Sequence, residues 1–128
     1  MDSAHIQFSF PEVYQGLACG GGIATATTTG LTLEFEVKDG VFGIIKSGVQ
    51  KVAIPISDLH SVALKQGWFR NRLVIKTRNM TALADVPGND AGKVALRVAR
   101  ADVRAAQSLV SLLTLSLSER QLAELESK

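Results

Sequence analysis

The period at which apolar residues recur changes near residue 100, and that change restricts this chain to few architectures. Ahead of it, apolar side chains return at every second position, in short runs interrupted by Gly, Pro, Asp and Asn. Beyond it they return at three and four, from Ala101 to Lys128, without a glycine or proline. Alternation marks half-buried strands, and the longer spacing marks an amphipathic helix. Short strands followed by one closing helix are therefore expected.

Ile6, Phe8 and Phe10 alternate with polar neighbours, so residues 5–10 read as a strand ended by Pro11. Residues 11–21 read as a loop closing in Gly20-Gly21-Gly22. Gly22–Thr28 and Leu31–Lys38 then form a hairpin about Thr29-Gly30, and Asp39-Gly40 turns the chain into Val41–Ile45. The next strand is Lys51–Ile56, where Pro55 calls for a sheet edge or bulge because it cannot donate to a ladder. Ser57-Asp58-Leu59-His60 is a tight connection. Ser61–Gln66 and Arg72–Arg78 form a hairpin with its tip at Gly67-Trp68-Phe69-Arg70-Asn71. An irregular piece around Met80–Val86 and a turn at Pro87-Gly88-Asn89-Asp90 lead to the last strand, Lys93–Ala99.

The helix is expected over Ala101–Leu115. Val103, Ala106, Val110, Leu113 and Leu117 form one stripe, widened by Ala105, Leu109 and Leu112. Asp102 sits at the favourable dipole end. A second start signal follows. Ser118 and Gln121 match a capping box, and Leu117 and Leu122 occupy its staple positions, so a separate short helix over 118–127 is expected. The domain is then 1–117, with 1–22 as its leading strand and glycine-rich loop and 118–128 as a tail.

Chemistry-bearing constellations are scarce. At 128 residues the chain can bury about two-thirds of its unfolded surface without a staple. Cys19 is the lone cysteine, and with two histidines it argues against a zinc site. No basic leader opens the sequence and no apolar run reaches the roughly 18 residues of a membrane span. A cytoplasmic protein without metal or cofactor is expected. The glycine triplet lacks the Lys-Ser/Thr and helix start of a phosphate loop, and it reads as a flexible loop. No sequence signature sets His5 or His60 beside Cys19, which reads as inert. Glu34 and Glu36 share a strand face about 7 Å apart, and alternating surface charge accounts for them.

Charge is unevenly placed. Residues 1–45 carry one base against five acids, residues 46–78 seven bases against Asp58, and residues 79–128 six of each. The plain reading sets acidic and basic strands side by side, neutralising one another. The sharper one is a basic surface that steers an anionic partner. Its focus is the hairpin tip, where Trp68 and Phe69 are flanked by Lys65, Arg70, Arg72 and Lys76. Such rings either plug one end of the core or meet a membrane, a nucleic acid or an acidic protein.

About seven strands and one C-terminal helix is the plan of pleckstrin-homology-like domains. Val52-Ala53-Ile54-Pro55-Ile56-Ser57-Asp58-Leu59-His60-Ser61-Val62, followed by Gln66-Gly67-Trp68-Phe69 and Leu73-Val74-Ile75, resembles the strand-turn-strand of bacterial members. The resemblance covers roughly residues 31–117 by pattern, and residues 1–22 depart from it. It implies a small barrel or sandwich of about seven strands closed by the helix. It also implies a binding or assembly module rather than an enzyme. The basic loop with which eukaryotic members hold phosphoinositide headgroups has no match here, so that ligand is not carried over. The functional expectation is a non-catalytic cytoplasmic binding or self-assembly module, with Leu122 and Leu125 as its subunit contact. The alternative is a peripheral domain that docks anionic membrane or nucleic acid through the 65–78 hairpin.

Overall fold

The computed structural model describes residues 3–10, 18–39, 49–67, 70–84, 86 and 90–126. Its strands are β1 (Ser3–Ser9), β2 (Ala18–Thr27), β3 (Gly30–Asp39), β4 (Gln50–Pro55), β5 (Leu59–Gln66), β6 (Asn71–Thr77) and β7 (Lys93–Val98). One helix, α1 (Val103–Glu126), follows, and short 3-10 turns occupy Ile56–Asp58 and Arg100–Asp102. All pairings are antiparallel, in the order β4-β3-β2-β1-β7-β6-β5. Among the described residues no ladder joins β4 to β5, so the sheet is not closed.

Connectivity nevertheless forces that sheet to curl. Laid flat, seven strands would put β4 and β5 about 29 Å apart. Only Ile56–Asp58 separates Pro55 from Leu59, a span of at most about 14 Å. The two edges therefore approach each other at this corner. A β1–β7 seam of a single ladder pair, Ser9 opposite Arg97, lets the four-strand and three-strand parts turn relative to each other. Pro55 ends edge strand β4, where its missing N–H removes no bond from a central ladder.

The concave face holds the core. Ile6 and Phe8 of β1, Leu31, Leu33 and Phe35 of β3, Ile54 of β4 and Leu73, Ile75 and Leu96 of β6 and β7 all point into it. Phe10 meets Phe8 and Phe35 edge-to-face, each at a centroid distance of 5.4 Å, the arrangement that aromatic quadrupoles favour. Helix α1 lies against β1, β2, β5 and the Ile56–Asp58 turn. It buries Ala106, Leu109, Leu113 and Leu117, with Val110 and Leu112 at the margin. The packed face overlaps the expected stripe at Ala106, Leu113 and Leu117 but is turned towards Leu109 and Ser116, leaving Val103 half-buried outside the core cluster.

Three expectations need correction. The glycine triplet is not a loop but part of β2: Gly21 lies opposite Ser9 and Glu36, and Gly22 opposite Phe8 and Phe35. A Cβ on Gly21 would collide with the Phe8 carbonyl, and one on Gly22 with the Glu34 carbonyl. Glycine here permits close strand approach. Second, the helix does not stop at Leu115 and restart at Ser118; it is continuous to Glu126. Nothing between Val103 and Glu126 lacks an N–H, so propagation at one bond per residue prevails over a capping box that needs a non-helical Ser118. Third, the first turn is 3-10, with the Asp102 N–H donating to the Ala99 carbonyl at 2.9 Å. The expected strand Val41–Ile45 lies outside the described residues. In the irregular piece, Leu83 and Val86 are buried and Thr77 Oγ1 donates to the Asn79 and Gly92 carbonyls.

Candidate functional site

Strand alternation sends every second residue of β5, β6 and β7 to the convex face, and the register stacks them in rows. Lys65, Arg72 and Arg97 form one row, and Ser61, Lys76 and Lys93 another. Between them run Ala63, Val74 and Ala95. Val74 is only 6% exposed yet lies outside the core cluster. The long stems of the flanking cations are suited to covering it while their heads stay in water.

Like charges directly opposite each other in a sheet are destabilising. Here Arg72 faces both Lys65 and Arg97, and Lys76 faces Lys93. Among the described residues none of these five forms an ion pair. Among the described residues, the expectation of neutralising strand pairs is met only across β3 and β4, where Glu34 lies opposite Lys51. Elsewhere the topology segregates charge: β3 with Glu34 and Glu36 belongs to the four-strand part, and the cations to the three-strand part.

The basic face ends in a cleft of about 650 Å³ between the β5–β6 tip and the start of α1. Four arginines line it: Arg70 from the tip, Arg97 from β7, Arg100 from the 3-10 turn and Arg104 from the first turn of α1. Ser9, Gln66 and Asn71 add neutral hydrogen-bonding groups. Asp102 lies in a smaller neighbouring cleft that shares Arg97, without an ion pair between them.

The sequence-derived candidates divide accordingly. Lys65, Arg72 and Lys76 fall on the basic face and Arg70 in the cleft, while Trp68 and Phe69 lie outside the described residues. Leu122 and Leu125 are exposed on the last turns of α1. Lys93, Arg97, Arg100 and Arg104 were not foreseen. They belong to the third of the chain whose charge sums to zero, and only the β6–β7 register brings them to the basic strands. The side chain of Cys19 is likewise outside the described set. Among the described residues, no three His, Cys, Asp or Glu side chains are grouped to hold a metal ion, and no helix is long and apolar enough to cross a membrane.

In comparisons with known proteins, no family model, no curated protein and no solved structure matches the chain.

Proposed function

We propose that this chain is a non-catalytic, cytoplasmic binding module of pleckstrin-homology-like fold whose partner is anionic and docks on the convex face of β5–β7. The row Lys65–Arg72–Arg97 carries this reading. Its charges repel one another across the ladder and are relieved by an anion rather than by the chain's own carboxylates. The strand order with one helix against the inner face supports the fold assignment, as does the approach of the open edges at Ile56–Asp58.

Salt elution from immobilised heparin tests the proposal. The triple variant Arg72→Gln, Lys76→Gln, Lys93→Gln is expected to elute at clearly lower salt than wild type. A charge-matched control, Lys51→Gln, Arg78→Gln, Arg120→Gln, should shift far less, because screening leaves only local charges to act. Equal shifts in the two variants would mean that net charge alone binds the resin, and would overturn the proposal.

A specific observation favours self-assembly as a second reading. Helix α1 continues past Leu117, its last buried residue, and Leu115, Leu122 and Leu125 are 58%, 58% and 67% exposed. Separations of seven and three place them on one helical face, the pattern of a paired helix. Deleting residues 118–128 is then expected to lower the molar mass seen by light scattering and leave the melting temperature nearly unchanged. A full-length chain that is monomeric at high concentration would eliminate this reading.

A further inference from the structure

We infer that the cleft between the β5–β6 tip and the start of α1 is a binding site for a phosphate monoester, carried by a small soluble molecule or by a lipid headgroup. The inference rests on the anionic-partner reading above and gives that partner a chemistry. Arg70, Arg97, Arg100 and Arg104 reach the cleft from four structural positions: a hairpin tip, a strand end, a 3-10 turn and a helix start. Among the described residues, none of the four is paired with a carboxylate. Four permanently charged groups left unpaired around one concavity form a receptor that lacks only its counter-charge.

Guanidinium forks discriminate among anions by geometry. Each presents paired donors that match two oxygens of one acceptor group. A phosphate monoester offers three terminal oxygens and a charge of about −1.5 to −2 near neutral pH, so it can engage several forks at once. A carboxylate offers two oxygens and one charge. A nucleic-acid diester has a single charge per phosphate and two terminal oxygens, so it engages fewer forks than a monoester does. The cleft volume, about 650 Å³, falls in the range of small-ligand sites and exceeds what a bare phosphate fills. Ser9, Gln66 and Asn71 are placed to bond hydroxyls of the group that bears the phosphate.

Titration calorimetry with glycerol 3-phosphate, against dimethyl phosphate as the diester control, tests the site. Cosedimentation with phosphatidylcholine vesicles containing phosphatidic acid or, at matched surface charge, phosphatidylserine separates a lipid source from a soluble one. Glycerol 3-phosphate is expected to bind and dimethyl phosphate not. Arg100→Gln and Arg104→Gln should each weaken binding by about tenfold, the consequence of losing one charge-assisted contact. Both residues are exposed, so unchanged melting curves should accompany the loss. Lys51→Gln with Arg120→Gln, on β4 and the far part of α1 and remote from the cleft, should leave the affinity for glycerol 3-phosphate unchanged. Preferential sedimentation with phosphatidic acid assigns the monoester to a membrane, and binding of glycerol 3-phosphate alone assigns it to a soluble ligand. Failure to bind either monoester, equal loss in the two pairs of variants, or binding to a single-stranded oligonucleotide alone overturns the inference. Heparin retention that survives such a failure leaves the anionic-face reading standing; loss of both removes both.

Discussion

Gly22→Val is expected to abolish the native fold, the largest effect foreseen for any single substitution in this chain. The position lies mid-strand, between Phe8 of β1 and Phe35 of β3. A Cβ there would overlap the Glu34 carbonyl oxygen and stand 2.7 Å from both the Glu34 carbonyl carbon and the Phe35 Cα. These are backbone atoms held by ladders on both sides, so no rotamer change relieves the contact. Overpacking in a core that can adjust costs about 1–3 kcal/mol. Here β3 must move as a whole, and the loss should approach the 5–15 kcal/mol that is the entire stability of an ordinary domain. Valine's strand propensity, worth at most about 1 kcal/mol, is far too small to compensate. Circular dichroism and urea titration of purified protein provide the measurement. A cooperative unfolding transition close to wild type would show that β2 and β3 are not in this register. Thr25→Val, on the same strand and half-exposed, serves as the control and should change stability by about 0.5 kcal/mol or less.

The same glycines show what a one-dimensional reading can hold. Ile6, Phe8 and Phe10, or Leu31, Leu33 and Phe35, declare their strands through alternation alone, because which face a residue takes is a local property of the pleat. Pro55 announces an edge for an equally local reason. Gly20-Gly21-Gly22 looks like a loop because composition registers only the missing side chains. The carbonyls of Phe8 and Glu34 that demand their absence lie on other strands. The basic face divides in the same way. Lys65, Arg70, Arg72 and Lys76 stand close together in sequence and are visible there. Arg97, Arg100 and Arg104 enter the site only because β7, from a distant part of the chain, pairs with β6. Register between distant segments depends on the summed packing of both faces, which no window of sequence contains. The capping-box pattern at Ser118 fails for a related reason: the signal is genuine locally, but the helix already in progress from Val103 has no cause to stop.

Removal of α1 is expected to yield insoluble protein, and trimming its core-facing leucines should lead towards the same end in graded steps. Leu109 and Leu113 are fully buried beneath the curled sheet, with Ala106 buried one turn before Leu109 and with β1 and β5 against the helix. Leu113→Ala should cost about 2–4 kcal/mol, from lost transfer energy and the cavity left behind. Leu109→Ala should cost a similar amount; one turn apart, the two share neighbours, so the double variant need not equal their sum. Against a total of about 5–15 kcal/mol, it would retain little stability. Deleting residues 101–128 goes further, because it uncovers the inner face that Ile6, Phe8 and Leu59 help to form. A contiguous apolar patch larger than a few hundred Å² is rarely tolerated on a soluble monomer. The contrast with deletion of residues 118–128 makes the test specific. Residues 118–126 are all exposed, so their loss should cost less than about 1 kcal/mol, although more than a third of the helix is gone. Urea titrations of the leucine variants and the solubility of the two truncations supply the measurements. A 1–100 fragment that stays soluble and melts cooperatively would show that the sheet completes its core without the helix, and the role assigned to Leu109 and Leu113 would then be wrong.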